Sequence, residues 1–195
     1  MTPESIKQLA KLLSQLPSLG PRQATRLAFH IASLPKEDAV ALSEAARAVA
    51  RLTTCTNCFS LSESGDLCYI CSDKRRDQTM VAVVEKETDM MTLEKTRKYT
   101  GRYLIIGDLP KDGILTAGHR KRLQYLKKSA PAGGFSEIIL ALSPTTYGDL
   151  NASILAQELR TTAQKITRLG RGIPTGGEIE FADEDTLENA LKNRN

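Results

Sequence analysis

The sequence lacks several features that mark common protein classes. No apolar run approaches the ~20 residues that a membrane-spanning helix needs, so we expect no membrane anchor. The opening residues, MTPESIKQLAKLL, have polar side chains at helical spacing and no apolar block before a cleavage site. We therefore expect no signal peptide and a cytoplasmic location. No G-x-x-x-x-G-K-[ST] loop occurs, so the sequence predicts no nucleotide site of that kind.

Cysteine is absent from the chain outside one short segment. The segment CTNCFSLSESGDLCYIC contains two C-x2-C pairs, formed by Cys55, Cys58, Cys68 and Cys71. Two such pairs can bring four thiolates into a tetrahedron, the closed geometry of a structural zinc site. Catalytic zinc would need an open coordination position, and disulfides would need an oxidising compartment, of which the sequence gives no sign. The sequence therefore predicts one structural Zn²⁺ per chain, which stabilises its own segment.

Charge is distributed unevenly around a net value of +4. Residues 1–54 carry seven Lys and Arg against four Asp and Glu, and residues 78–170 carry fourteen against nine. Residues 171–195 reverse the balance, with three basic and six acidic residues. A basic body suits a polyanion such as DNA, and an acidic end suits a protein contact. A solvated surface of mixed charge would give the same totals, so charge alone does not decide between them.

Residues 5–34 have the pattern of two helices joined by a tight turn. Apolar residues recur at helical spacing, and a turn containing Gly20 interrupts them. This layout is typical of a helix-hairpin-helix element, in which N–H groups at the start of the second helix attract a phosphate. We therefore predict sequence-independent DNA binding through Gly20, Arg22 and Arg26. Ser18 stands where the motif usually has its first glycine, and an ordinary helical hairpin with surface arginines is the alternative.

From residue 78 onward, apolar runs alternate with helical patterns. Runs rich in β-branched and apolar residues predict strands at residues 80–85, 102–108, 137–142 and 165–170. The segments between them predict helices at residues 87–99, 116–128 and 149–163. Such alternation is typical of a parallel sheet with both faces covered, so the fold class is α/β in this part of the chain.

Acidic residues follow the first two predicted strands. Glu85 closes the first strand and Asp108 follows the second, an arrangement that resembles the Toprim domain of topoisomerases, primases and some nucleases. Those enzymes place a D-x-D motif after a later strand, where clustered carboxylates hold Mg²⁺ for phosphoryl transfer. Here that position reads SPTTYGD, with hydroxyl groups in place of two carboxylates. We expect no catalytic residues, and we interpret the edge as the remnant of such a site or a partner contact, formed by Glu85, Asp108, Thr145, Tyr147 and Asp149.

Taken together, the motifs resemble one family, RecR, the bacterial recombination mediators. The resemblance covers the full chain and is most specific in TRLGRGIPTGGEIEFADEDTL. SPTTYGD and the basic cluster Arg120, Lys121 and Arg122 mark a divergent member. The resemblance implies a multi-part α/β chain with four segments: a helix-hairpin-helix DNA-binding region (1–54), a C4 zinc-finger segment (55–77), a Toprim domain (78–170) and a Gly-rich C-terminal strand and helix element for oligomer or partner contact (171–195).

The resemblance also implies a non-enzymatic role in RecF-pathway DNA repair. The protein would bind RecO and RecF, form a homo-oligomeric dimer or tetramer ring, and associate with the nucleoid when bound to DNA. It would help to load RecA onto single-stranded DNA coated by SSB. Two alternatives stay open at this point. One is a Mg²⁺-dependent Toprim nuclease or topoisomerase-like enzyme that uses Glu85, Asp108 and Asp149, and the other is a zinc-stabilised protein-interaction module.

Overall fold

Two units of different architecture make up the chain, one ending at Leu52 and the other beginning at Thr53. The computed structural model describes residues 2–63 and 65–194. Within them, no helix combines the length and the apolar character that crossing a membrane requires.

The first unit is built from three helices. These are α1 (Glu4–Leu13), α2 (Pro21–Ser33) and α3 (Lys36–Val49). α1 packs against α2, where Ile6, Ala24 and Ala28 are buried. α3 buries none of its side chains. The unit therefore has a small core, and Leu12, Phe29 and other large apolar side chains stay exposed within it.

The second unit combines a four-stranded sheet with helices and the cysteine segment. The cysteine segment contains β1 (Thr53–Thr54), β2 (Leu61–Ser62) and α4 (Tyr69–Ser72). The strands of the main sheet are β3 (Asp77–Val84), β4 (Gly101–Ile105), β5 (Phe135–Leu140) and β6 (Ala163–Arg168). The helices between them are α5 (Glu87–Lys95), α6 (Ala117–Lys128) and α7 (Thr146–Leu159). After β6 come a 3-10 helix (Ile179–Phe181) and α8 (Glu184–Lys192).

The main sheet is parallel throughout, in the order β4-β3-β5-β6, as the alternation of strands and helices predicts. Side chains alternate between its faces along β3, because successive residues of a strand point to opposite sides. Val81 and Val83 join an apolar cluster that includes residues of α6 and α7. Ala82 and Val84 join a second cluster, which contains Met90 of α5 and three of the four cysteines. Both faces of the sheet are therefore covered, and the cysteine segment covers part of one.

The strands and helices predicted for residues 78–170 all occur, with bounds that differ from the sequence-based prediction by up to four residues, and the strand predicted for the C-terminal element is absent from the described residues. α7 begins at Thr146, ahead of the predicted start at Asp149, because the hydroxyl of Thr145 accepts a hydrogen bond from the Gly148 N–H at 3.1 Å and caps the helix. The C-terminal element contains no strand between residues 171 and 194. A strand needs hydrogen bonds to a neighbouring strand. Here Phe181 N–H donates to the Glu178 carbonyl at 3.2 Å and closes a 3-10 turn instead.

Candidate functional site

The turn between α1 and α2 has a backbone conformation that favours glycine. Ser18 stands where the helix-hairpin-helix pattern usually has a glycine, and its φ of 64° lies in the left-handed region. Gly20 is the N-cap of α2 and has an extended backbone, while Pro21 occupies the first helical position. The departure from the motif at Ser18 therefore changes the side chain and leaves a backbone that a glycine would adopt easily.

The start of α2 offers unsatisfied donors beside two free arginines. No side chain caps the helix, and its first turn contains no acidic residue. Arg22 and Arg26 are exposed, lie four residues apart on one face of α2, and form no ion pair with any residue described by the structure. A Cβ atom placed on Gly20 would meet no atom within 4 Å apart from its two neighbours in the chain, so the backbone there is open to a ligand. Uncapped N–H groups, a helix dipole and two cations form an arrangement that can accept a phosphate.

The four cysteines come together in the second unit. Their Sγ atoms all lie within 4.8 Å of one another, and Cys55, Cys58 and Cys68 are buried. Four thiolates around one Zn²⁺ at ~2.3 Å would be separated by about 3.8 Å, so the cluster fits a tetrahedral ion. All four cysteines are free thiols. The Sγ atoms of Cys58 and Cys68 are 3.5 Å apart, and the hydrogen bond between them raises the pKa of Cys58 and lowers that of Cys68. The cluster can hold a metal ion.

The cysteine segment is joined to the sheet by specific contacts. The Ile105 N–H in β4 donates to the Cys58 carbonyl at 2.8 Å. Phe59, the next residue, packs edge-to-face on Tyr125 of α6 with 5.5 Å between ring centroids. The hydroxyl of Tyr125 donates to Asn57 Oδ1 at 2.5 Å. These contacts show that the segment is packed into the α/β unit.

One arginine of the basic cluster serves this junction. Arg122 donates to the Ile105 carbonyl at 2.9 Å, and its guanidinium lies 5.2 Å from the centre of the Phe59 ring. Arg120 donates to the Leu115 carbonyl at 3.3 Å, and Lys121 is exposed. The three residues that are adjacent in sequence therefore have different surroundings, and Arg122 contributes to packing.

A second charged contact ties the end of the cysteine segment to α5 and β4. Arg76 donates to both carboxylate oxygens of Glu94, at 3.1 and 2.6 Å. The hydroxyl of Tyr103 donates to Glu94 at 2.7 Å. Burial alone would raise the pKa of Glu94, but the hydrogen bonds from Arg76 and Tyr103 lower it below its usual value. The ion pair is largely enclosed, with the Arg76 side chain 12% exposed.

The predicted Toprim edge lies where β3, β4 and β5 end. Glu85 follows β3 and accepts a hydrogen bond from the Leu109 N–H at 3.1 Å. The Asp108 carbonyl lies 3.0 Å from Nε2 of His119, whose ring is buried. Thr145 caps α7 with its hydroxyl. These contacts order the loops after the strands.

Tyr147, in the first turn of α7, is a large exposed side chain of this edge. Half of it is accessible, and the Lys111 ammonium lies 5.7 Å from the centre of its ring. Its carbonyl accepts from Asn151, which also donates to the Pro110 carbonyl, both at 2.8 Å. The ring is therefore held on an ordered turn and faces solvent beside a cation.

Asp149 is bound by two arginines. Arg168 at the end of β6 donates to it at 2.6 Å, and Arg171 donates to both of its oxygens. The hydrogen bonds from Arg171 and Arg168 lower the pKa of Asp149 to about 2. Its carboxylate is thus already satisfied by cations of the chain itself.

The acids of this edge do not gather into a metal site. Among the described residues, only the four cysteines form a cluster of three or more potential ligands close enough to share a metal ion. Glu85 uses an oxygen to hold a backbone N–H, and Asp149 holds two guanidinium groups. The geometry therefore offers Mg²⁺ no shared carboxylate site in the part of the chain that the structure describes.

Sequence reasoning missed Arg168 and Arg171 as neighbours of the Toprim edge. They belong to the TRLGRG stretch, which resembles the RecR family closely, but the resemblance does not indicate which residues contact these two arginines. An open polar cleft of about 690 Å³ is lined by Arg171 and Gly172, by the turn after β5, and by residues of α8. The signal in the sequence was limited to two arginines in and just after the fourth predicted strand, and the pairing of β6 with β5 that brings them to this edge is seen only in the structure.

Comparisons with known proteins agree along the whole chain. Family models match in three stretches, described as RecR, helix-hairpin-helix (residues 6–49), Toprim domain (79–170) and RecR, C-terminal (172–195). Recombination protein RecR of Rubrobacter xylanophilus is 42% identical over 193 residues, which cover 97% of this chain and 96% of that protein. Recombination protein RecR of Thermus thermophilus is 40% identical, with coverages of 98% and 97%. That of Myxococcus xanthus is 38% identical, with coverages of 100% and 98%. The chain belongs to the RecR family.

Proposed function

We propose that the protein is a non-enzymatic, DNA-binding mediator of recombination and repair. Its relatives carry the name recombination protein RecR, and membership of that family supports a role in recombination. The observation that carries the proposal is the α1–α2 hairpin, where exposed Arg22 and Arg26 stand beside the uncapped start of α2 at Gly20. Contacts of this kind bind the phosphate backbone, so they suit a protein that acts on DNA of any sequence.

A single hairpin makes few phosphate contacts, so we propose that several act together in a homo-oligomer, a dimer or a tetramer ring. Linking several weak sites raises the overall affinity through effective concentration. Large exposed apolar side chains support subunit contacts, since such side chains often mark interfaces. They occur in the first unit at Leu12, Phe29 and Val49, and in the C-terminal element at Ile179 and Phe181.

We propose that the ion held by the cysteines is a structural Zn²⁺. Four thiolates and no other ligand form a closed site, which leaves no coordination position for a substrate. The ion would supply no chemistry on DNA, and its role would be to hold the cysteine segment against β4 and α6. This role agrees with the burial of Cys55, Cys58 and Cys68 in the same cluster as Ile105.

We propose that the partner proteins RecO and RecF are contacted through the Toprim edge. Tyr147 and Lys111 form an exposed aromatic and cationic pair there, and Thr145 and Asp108 are also exposed. Aromatic side chains are enriched at the centres of protein interfaces. In the proposed pathway these contacts help to load RecA onto single-stranded DNA coated by SSB, in the cytoplasm and at the nucleoid.

The competing function is Mg²⁺-dependent phosphoryl transfer at Glu85, Asp108 and Asp149. It requires clustered carboxylates. Two of these side chains are instead engaged by groups of the chain itself. The enzyme hypothesis is therefore the alternative against which the mediator proposal is tested.

A reconstituted loading reaction tests the proposal. RecA filament formation on SSB-coated single-stranded DNA is followed with RecO present, with and without this protein, and the DNA is examined for cleavage in Mg²⁺. We expect faster filament formation and intact DNA. The variant Tyr147→Ala should lose the stimulation while keeping its DNA affinity, and the exposed control Tyr69→Ala should keep both. Cleavage that Glu85→Gln abolishes would favour the enzyme, and unchanged filament formation would contradict the mediator proposal.

A further inference from the structure

The loop after β5 is tied to the C-terminal element through one carboxylate. Asp149, in the first turn of α7, receives a hydrogen bond from Arg168 at 2.6 Å and two from Arg171. Arg168 ends β6, and Arg171 begins the segment that leads to α8. The start of α7 therefore meets the end of β6 and the start of the C-terminal element, 19 and 22 residues further along the chain, at a single side chain.

Arg171 also connects this point to α8. Its carbonyl accepts a hydrogen bond from Asn193, the C-cap of α8, at 3.1 Å. Gly172, the next residue, lies against Ala190 of α8, where a side chain on Gly172 would be in van der Waals contact. Asp149 is therefore connected to α8 through Arg171, by the hydrogen bond from Asn193 and by the contact of Gly172 with Ala190.

Hydrophobic burial contributes little to holding the C-terminal element. No residue of α8 or of the 3-10 helix is buried. Ile179 is 69% exposed, Phe181 80% and Leu191 64%. Apolar burial normally supplies most of the free energy that docks one element on another, so its scarcity here leaves the polar contacts as the main restraint.

Charge arrangement favours a strong contact at Asp149. Two guanidinium groups surround one carboxylate, and bidentate arginine pairs are among the stronger charge-assisted hydrogen bonds. The carboxylate also lies in the first turn of α7, where the helix dipole favours negative charge. Arg168, the last residue of β6, donates to Oδ1 of the carboxylate, and Arg171 donates to both of its oxygens.

We propose that Asp149, Arg168 and Arg171 form an ionic clasp that holds the C-terminal element, residues 171–194, against the loop after β5. Opening the clasp frees the element from the sheet while the sheet stays folded. Because the contact is ionic and partly exposed, salt weakens it. The proposal does not depend on the protein's role in recombination.

Hydrogen–deuterium exchange of the full chain tests the clasp. Rates in residues 171–194 are compared with those in β3 and β5 for the wild type and Asp149→Asn, which keeps the shape and removes the charge. We expect the variant to exchange at least about threefold faster in residues 171–194, the scale of a lost coupled ion pair, with unchanged rates in the sheet. The wild type should move toward the variant between about 0.1 M and about 1 M salt, where the Debye length falls from ~10 Å to ~3 Å.

Two further variants separate the clasp from general destabilisation. Glu158→Gln removes a different ion pair of α7, with Lys127 at 2.9 Å, and should leave residues 171–194 unchanged. Arg171→Gln should match Asp149→Asn, and the double variant should exchange no faster than either single variant, because both remove the same contact. Any of three results would overturn the proposal. Residues 171–194 of Asp149→Asn could exchange at the wild-type rate, exchange could accelerate equally in the sheet, or the effects of the two substitutions could add in the double variant.

Discussion

The backbone N–H of Ile105 donates a 2.8 Å hydrogen bond to the carbonyl of Cys58, so a turn that carries two of the four clustered cysteines is bonded directly to a strand of the main sheet. Both residues are buried in one apolar cluster with Ala82 and Val84 of the neighbouring strand. A change at the thiols therefore reaches the sheet through backbone and packing contacts.

Removing the metal should destabilise the second unit as a whole. We expect chelation, or Cys55→Ser, to lower its free energy of unfolding by more than about 3 kcal/mol, because the unfolded chain has no preformed site and the free energy of ion binding therefore adds to that of folding. Thermal unfolding followed by circular dichroism measures the change, and Thr54→Ser, an exposed neighbour, is the control. An unchanged melting temperature after complete metal removal would contradict the coupling.

Arg122 should behave as a structural residue despite its charge. Arg122→Ala removes a hydrogen bond to the Ile105 carbonyl and a cation–π contact with Phe59. We expect a loss of about 2 kcal/mol in unfolding free energy. Lys121→Ala, its exposed neighbour, should change stability by less than ~0.5 kcal/mol. Equal effects of the two substitutions in denaturant titrations would show that Arg122 has no special role.

The sequence predicted the parallel sheet well because strand and helix periodicities are local signals. Val81 and Val83, for example, lie on one face and Ala82 and Val84 on the other, as a period of two requires. It also predicted that the cysteines would gather, since their spacing is itself the motif. The different surroundings of Arg120, Lys121 and Arg122 could not be predicted, because they depend on how the cysteine segment packs on α6.

Ser18 should tolerate glycine and reject branched side chains. Its φ of 64° is strained for most residues, so Ser18→Gly should keep or raise the stability of the first unit, by up to about 1 kcal/mol. Ser18→Val should lower it by about 1–2 kcal/mol, since β-branched residues rarely adopt this conformation. Chemical denaturation of both variants, alongside their DNA affinity, provides the measurement. A Val variant as stable as the wild type would argue against a left-handed backbone at this position.

The Asp149 contact should depend on pH in a defined direction. Arg171 and Arg168 lower the pKa of Asp149 to about 2, below the ~3.9 expected of the unfolded chain. Because the pKa of Asp149 is lower in the folded chain than in the unfolded chain, the contact contributes its full stability at pH values above the pKa of the unfolded chain. This stability is lost as the pH falls through the pKa of the folded chain. We therefore expect residues 171–194 to become more accessible between about pH 4 and about pH 2. The rate of pepsin cleavage in residues 171–194 of the wild type, divided by the rate for Asp149→Asn at the same pH, should rise toward one as the pH falls over that interval. A ratio that does not change with pH would contradict this prediction.

The role of Asp149 shows where sequence reasoning ended. Its acid type and its place after β5 predicted the remnant of a Toprim site or a partner contact, and that role stays a prediction. Its partners lie 19 and 22 residues further along the chain, brought close only because β6 pairs with β5. Pairing between strands is a tertiary property, so no local pattern in SPTTYGD could reveal that the carboxylate binds Arg168 and Arg171.

The salt dependence of DNA binding tests the central claim most directly. Affinity for two duplexes and two single strands of unrelated sequence is measured by fluorescence anisotropy over a range of salt, for the wild type, Arg22→Ala/Arg26→Ala and the matched control Lys36→Ala/Arg47→Ala, whose two cations lie on α3 of the same unit. We predict that the hairpin variant binds every sequence more weakly and that its slope of log affinity against log salt falls by up to about two, one per lost phosphate contact. The control should keep the wild-type slope. Equal slopes for all three proteins would contradict DNA binding through this hairpin.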